Sequence, residues 1–189
     1  MKNKLIVSSI LAGILIAIGT QCYIKAPNYI GAFIFPIALL SILICKLDLF
    51  TGKISKVATL KDISNVTIIL IGNLIGCSIM YLFPSELAYN IVNSKLNENL
   101  LNIFVESIFC NILIYIAVDA FKHRYIIITI LCVAAFILGG FEHCVANFAF
   151  IFSSHIFNIS IIKFLFVNII GNTFGGIIYH KLICHIGGD

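Results

Sequence analysis

Long apolar runs alternate with short polar links along this chain, and six of the runs have the length of a membrane span. They cover Leu5–Tyr23, Tyr29–Cys45, Val66–Phe83, Ile103–Phe121, Tyr125–Phe152 and Ile161–Cys184. A helix needs about 20 residues to cross the hydrocarbon core of a bilayer, and each run meets that length once interruptions are allowed for. The pattern predicts an all-α membrane protein with six transmembrane helices, in one domain over residues 1–189.

The third and sixth runs end alike. Ile71-Gly-Asn-Leu-Ile-Gly-Cys77 matches Ile170-Gly-Asn-Thr-Phe-Gly-Gly176. The shared Gly-Asn-x-x-Gly puts two glycines four apart on one helical face, where they permit close helix contact while the Asn bonds across the interface. The two matches close successive blocks of three runs, about 1–83 and 103–184. Three is odd, so the blocks run through the membrane in opposite directions, as in the inverted repeats of transporters and channels. Each block has a candidate break in its middle helix, at Leu47-Asp-Leu-Phe-Thr-Gly52 and at Gly139-Gly140-Phe-Glu-His143. Irregular backbone at membrane depth is tolerated only inside protein or along a cavity. A half-helix starting there would point its N–H groups at the cavity and favour an anion. The plain alternative for the first break is a helix end at the membrane surface.

Composition fixes the solvent. The chain is 61% hydrophobic and 11% charged, with a mean hydropathy of +1.11. That is too apolar for a water-soluble domain of this length. The net charge of +4 reads as orienting charge rather than a nucleic-acid surface. With the N-terminus in the cytoplasm, Lys2, Lys4, Lys46, Lys53, Lys56, Lys61, Lys122, Arg124 and Lys181 fall inside, and Lys25, Lys95 and Lys163 outside. Nine against three puts both termini in the cytoplasm. The small residues around Gly19-Thr20 make a poor cleavage site, so the first run reads as a retained helix. The seven Cys lie in or beside apolar runs without a C-x-x-C pair. They predict packing roles, with no disulfide framework, no metal site and no cofactor.

Chemistry concentrates in Gly140-Phe-Glu-His-Cys-Val-Ala-Asn147, which follows fourteen residues, Ile126–Gly139, without a charge. Ionisable groups at membrane depth cost several kcal/mol and face a cavity or a partner. His is the one side chain whose unperturbed pKa lies at about 6.5, so His143 is a candidate for proton exchange at physiological pH. It marks a permeation path, against the alternative of a hydrogen-bonded His that only packs helices.

These residues and their order resemble the formate/nitrite transporter family, pentameric channels with an aquaporin-like six-helix protomer. Leu49-Phe50-Thr51-Gly52 resembles the family's loop in the broken second helix, and Cys110-Asn111 the Cys-Asn of its fourth. Gly140–Asn147 resembles its hallmark in the broken fifth helix, and Gly171-Asn172 with Gly175-Gly176 its sixth-helix ending. The resemblance implies a pore centred on His143, supported by Glu142, Asn147, Asn111 and Asn172. It implies constrictions at Phe35, Leu39 and Phe136 and a basic vestibule residue at Lys95. By composition alone the constriction residues would be packing or lipid-facing positions, and Lys95 a solvated loop charge. The chain departs from the family in lacking an amphipathic helix before the first run, in Lys46-Leu-Asp48 before the loop, and in Cys144 where a Ser is common.

The implied function is passage of small monovalent weak-acid anions: formate, nitrite, hydrosulfide or a short carboxylate. Lys95 would collect the anion. Thr51, Asn172 and half-helix N–H groups would replace part of its hydration, Glu142 and Asn147 would orient His143, and His143 would donate a proton. The expected partners are membrane lipid and four further copies of the chain, in a bacterial inner membrane, with no nucleic acid and no catalytic residues. The competing classes are a membrane enzyme or metal-handling protein using Glu142, His143 and Cys144, and a non-conducting scaffold.

Overall fold

The computed structural model describes residues 2–187. Met1, Gly188 and Asp189, which the expected domain includes, lie outside the described residues. All regular structure among the described residues is helical. In chain order the helices are α1 (Lys2–Lys25), α2 (Tyr29–Ile34), α3 (Pro36–Ile44), α4 (Phe50–Lys53), α5 (Leu60–Cys77), α6 (Glu86–Leu96), α7 (Leu100–Lys122), α8 (Ile126–Leu138), α9 (Cys144–Ser154) and α10 (Ile159–His185). Short 3-10 turns extend α4 through Lys56 and α5 through Leu82.

Local chemistry sets the helix starts. Thr59 and Asp62 form a reciprocal capping box at the head of α5. Ser85, Asn99 and Asn158 cap α6, α7 and α10 by accepting from the N–H of Ala88, Leu101 and Ile161. Pro36, which has no N–H to donate, marks the joint between α2 and α3. The helix α6 lies in a stretch read as a polar link. Its Ser85 cap and following Glu86 were the signal for it.

Four helical segments are long and apolar enough to cross a membrane: Lys2–Lys25, Leu60–Leu82, Leu100–Lys122 and Ile159–His185. Shorter apolar helices lie between them, α2–α3 followed by α4 and α8 followed by α9. Counting each interrupted set as one span is consistent with six. The interruptions are the loop Cys45–Leu49, which contains Lys46 at φ 54°, and the loop 139–143, which contains Gly140 at φ 71°. A left-handed φ of this kind is easy for glycine and strained for lysine.

The long helices pair as α1 with α5 and α7 with α10. Both pairs close at a glycine against a serine. A Cβ at Gly72 would lie 2.5 Å from the Cβ of Ser9, and one at Gly171 2.5 Å from the Cβ of Ser107. The short helix after each break packs on the opposite pair: α9 reaches α1 and α5, and the α4 segment reaches α7 and α10. One apolar core therefore runs through both halves, with Ile16, Leu39, Phe50, Ile114, Phe136 and Phe148 among its members. Ile30, Leu101, Ile127 and Phe166 stay exposed on the outer faces, which suits contact with lipid or another subunit.

Candidate functional site

Two buried asparagines tie the breaks to the long helices. Asn73 on α5 accepts from the Phe50 N–H at 2.9 Å, and its Nδ2 donates to Ser9 O at 2.8 Å and Asp48 O at 3.0 Å. Asn172 on α10 accepts from the Cys144 N–H at 2.9 Å, and its Nδ2 donates to Ser107 O and Glu142 O, both at 2.8 Å. Each amide thus satisfies a first-turn N–H and the last carbonyl but one before it, groups that would otherwise be orphaned in an apolar interior. The Gly-Asn-x-x-Gly motif is what places both.

Commitment of these amides corrects one expectation. Asn172 uses both amide hydrogens and its oxygen on backbone, so it builds the site rather than solvating an anion. The Phe50, Cys144 and Ala146 N–H groups are also taken, the last by His143 Nδ1 at 3.0 Å. Asn111 sits behind Asn172, donating to its carbonyl at 2.7 Å, and its own Oδ1 has no partner among the described residues.

His143 is the cap of α9 and is 3% exposed. Its Nε2 lies 2.9 Å from Thr51 Oγ1, so the chemistry of one break meets that of the other. Because Nδ1 accepts the Ala146 N–H, the neutral ring carries its proton on Nε2 and donates to Thr51. Phe136 stacks on the imidazole at a centroid distance of 5.6 Å, and Phe35 meets Phe136 edge-on at 6.1 Å. A cavity of about 170 Å³ opens on this group, lined by Phe35, Phe136, His143, Asn147 and, at its far side, Lys95. A second cavity of about 250 Å³ opens beyond Thr51, where Leu39, Leu49 and Gly52 face Lys46, Lys53, Lys56 and Lys122. Phe35, Phe136, His143 and Thr51 form one chain of contacts, with the first three lining one cavity, while Leu39 lines the other. Phe50 is buried in the core with its N–H on Asn73.

Lys95 ends α6 rather than lying in a loop, and its ammonium bonds the carboxylate of Glu142. Glu142 also accepts from Asn147 Nδ2 at 2.6 Å. Neither Glu142 nor Asn147 hydrogen-bonds the imidazole, which corrects their expected role. They hold Lys95 and the loop, while Thr51 and the Ala146 N–H orient the ring. Asn168 joins them, accepting from Asn147 at 2.8 Å and donating to Ser107 Oγ at 2.9 Å and Glu142 O at 2.8 Å. Sequence reasoning missed Asn168, although it lies one helical turn before Asn172 in an apolar run. It also missed Glu106, an ionisable residue inside a span, whose carboxylate lies within 4.8 Å of those of Glu98 and Glu142.

An all-helical membrane protein with two interrupted helices meeting at a buried His–Thr pair is the class this geometry defines. The chain belongs to the formate/nitrite transporter family, whose model, described as "Formate/nitrite transporter", matches residues 2–186. The fold is similar to a solved "FNT family ion channel", with a TM-score of 0.85 at 21% identity, covering 98% of this chain and 90% of that one. It is also similar to a "Pentameric formate channel with formate bound", with a TM-score of 0.78 at 24% identity, covering 98% and 95%. A curated relative, the "Formate-nitrite transporter" of Plasmodium knowlesi (strain H), is 27% identical over 76% of this chain. The chain spans 62% of that relative's length in the match.

Proposed function

We propose that this chain is a channel for small monovalent weak-acid anions, with formate the first to try and nitrite, hydrosulfide and short carboxylates after it. The observation that carries the reading is the buried His143–Thr51 pair, 2.9 Å apart, with His143 lining one cavity and Gly52, next to Thr51, lining the other; we read the apolar stretch between them as the neck of the pore. Formate is also the ion bound in one of the solved structures it resembles.

The physics of the neck supplies the selectivity. A bare anion entering an apolar constriction loses hydration worth far more than two hydrogen bonds return. Desolvation disfavours the charged form, so a weak acid takes up a proton as it leaves water, and a strong-acid anion such as chloride does not. The neutral acid then needs one donor and one acceptor in the neck. The bonded His143–Thr51 pair offers both as one unit. Charged imidazolium would need a second proton on Nδ1, where the Ala146 N–H points. In this mechanism His143 is a neutral hydrogen-bond donor, and the proton comes with the permeating acid from solvent. Lys95 lines one mouth, where its charge is met by Glu142.

The protein works as one domain of two inverted repeats, with both termini and the lysine-lined cavity in the cytoplasm, following the excess of basic residues on that side. The membrane is a bacterial inner membrane, and the assembly is a homopentamer, as the formate channel it resembles is described. The test is a panel of anions under one gradient in proteoliposomes. Formate should pass well ahead of chloride, and equal flux of the two overturns the weak-acid mechanism.

A further inference from the structure

The two cavities differ in charge. At the His143 side, Lys95 is bonded to Glu142 and shares its surroundings with Glu98 and Glu106. At the Leu39–Leu49 side, four lysines line the cavity: Lys46 from the broken loop, Lys53 from α4, Lys56 from its 3-10 extension and Lys122 from the end of α7. Lys53 pairs with Asp48 at 2.9 Å and Lys122 with Asp119 at 3.4 Å. Lys46 and Lys56 have no carboxylate at ion-pair distance among the described residues.

We infer that this cavity binds a polyvalent phosphate anion from the cytoplasm, one ion spanning several of the four lysines and seated over Leu39, Leu49 and Gly52. The ammonium of Lys122 beside Lys56 pushes the Lys56 pKa below the ordinary lysine range, ahead of the effect of burial, and Asp119 offsets it only in part. Like charges held together in this way are relieved by an anion placed between them. A monovalent anion meets one or two ammonium groups, whereas linked phosphate groups meet several at once, each bond charge-assisted. The lining includes residues of the break itself, so the cavity leads into the protein rather than out to the bilayer. That favours a soluble phosphate over a lipid headgroup, which shares its chemistry.

Such an ion stays charged at neutral pH and cannot follow a weak acid through the apolar neck. Its seat is also the exit of the neck, so it would block flux from the cytoplasmic side. The block rests on the channel reading, and the binding does not.

Inorganic pyrophosphate is the probe, titrated calorimetrically into the purified protein in phosphatidylcholine nanodiscs. Saturable binding at one ion per protomer is expected. The double variant Lys56→Gln/Lys122→Gln should weaken it by about tenfold or more, with the oligomer mass unchanged, and Lys163→Gln, at an exposed position of α10 outside the cavity, should leave it as it was. Absence of saturable binding, or binding indifferent to the double variant, overturns the site. Loss of pyrophosphate binding in phosphatidylglycerol nanodiscs would assign the cavity to lipid headgroups and overturn the soluble occupant. In proteoliposomes, pyrophosphate on the lysine side should inhibit formate flux and on the Lys95 side should not. Full flux with the ion bound refutes the block. No formate flux at all without pyrophosphate refutes the channel reading, and calorimetry still decides the site.

Discussion

The loop before Phe50 and the loop before Cys144 are held by matching bonds. Asn73 and Asn172 each take one N–H and two carbonyls, and Ser9 and Ser107 supply one carbonyl apiece from the paired helix. The register runs on: Asp48 lies 2.9 Å from Lys53 five residues later, as Glu142 lies 2.6 Å from Asn147 five residues later. The residue between the anchored carbonyl and the anchored N–H is where the two part. It is Leu49 in the first loop and His143 in the second.

That difference separates scaffold from chemistry. The scaffold is needed twice, because each interrupted helix exposes the same orphaned backbone groups at membrane depth. The chemistry is needed once, so only one loop carries a polar side chain in this position, and the helix after the other loop, α4, supplies Thr51 to meet it. The acids diverge too. Asp48 pairs with a half-exposed lysine of its own segment, Lys53, whereas Glu142 is buried and draws its cation, Lys95, from α6.

Replacing His143 should break the comparison outright. His143→Phe makes the two loops equally apolar and is expected to lower formate flux by at least about 100-fold, the scale of several kcal/mol lost from a buried polar contact. The oligomer should still assemble. His143→Asn keeps an oxygen to cap α9 and an amide to meet Thr51, so it should retain measurable flux. Its flux should still rise as pH falls with the wild-type slope, because the weak acid itself carries the proton. A flattened slope in His143→Asn returns proton donation to the imidazole, and normal flux in His143→Phe removes it from the path.

The ion pairs sharpen the same contrast in stability. Lys95→Met strands the Glu142 carboxylate, whose side chain is 2% exposed, and is expected to cost about 3 kcal/mol. Adding Glu142→Gln should restore most of it. Lys53→Met, at a pair whose lysine is 51% exposed, should cost under about 1 kcal/mol. Denaturation of the three variants and the unaltered protein in one detergent measures all three effects, and equal costs for Lys95 and Lys53 would erase the distinction.

Much of this arrangement could be read before the fold was seen, for a definite reason. Gly72-Asn73 and Gly171-Asn172 recur, and recurrence turns a weak local motif into a positional one. The lone His143 in an apolar run is conspicuous because charge is expensive there. Asn168 escaped because its counterpart by the same register is Ile69, an apolar core residue, so no repeat points to it. The partners of His143 were misassigned for a geometric reason. Glu142 and Asn147 are near it in sequence, but the side chain one residue away in an extended loop points elsewhere, and the true partner Thr51 is 92 positions distant. The α6 helix was hidden by its polar surface, which faces neither the core nor a continuous apolar environment.

Removing either asparagine tests whether the scaffolds are equivalent. Asn73→Ala and Asn172→Ala each delete three interhelical bonds, and at about 0.6 kcal/mol per bond in a membrane each should cost about 2 kcal/mol. The costs should agree within about 0.5 kcal/mol if the two act alike and independently. Asn172→Ala should also lower flux, since it loosens the loop that carries His143. Asn73→Ala should affect flux less. A much larger stability cost at one of them, read from matched unfolding midpoints, would show that the halves are tied down unequally.

Thr51 provides the finest test, because it is the side chain by which the first break, through α4, meets His143. Thr51→Val keeps the shape and removes the hydroxyl, leaving the His143 Nε2–H without its acceptor. A hydrogen bond of about 1 kcal/mol corresponds to a flux loss of about fivefold. Thr51→Ser keeps the hydroxyl and loses a methyl, so it should stay within about twofold of wild type, though the freer rotamer weakens the contact slightly. In the background of His143→Phe the Thr51→Val change should have no further effect on flux, since the two residues act through one bond. Formate flux through the three variants, normalised to assembled protein, decides it. An additive loss in the double variant would mean that Thr51 meets the permeating acid on its own, and that the first loop carries chemistry of its own as well as scaffold.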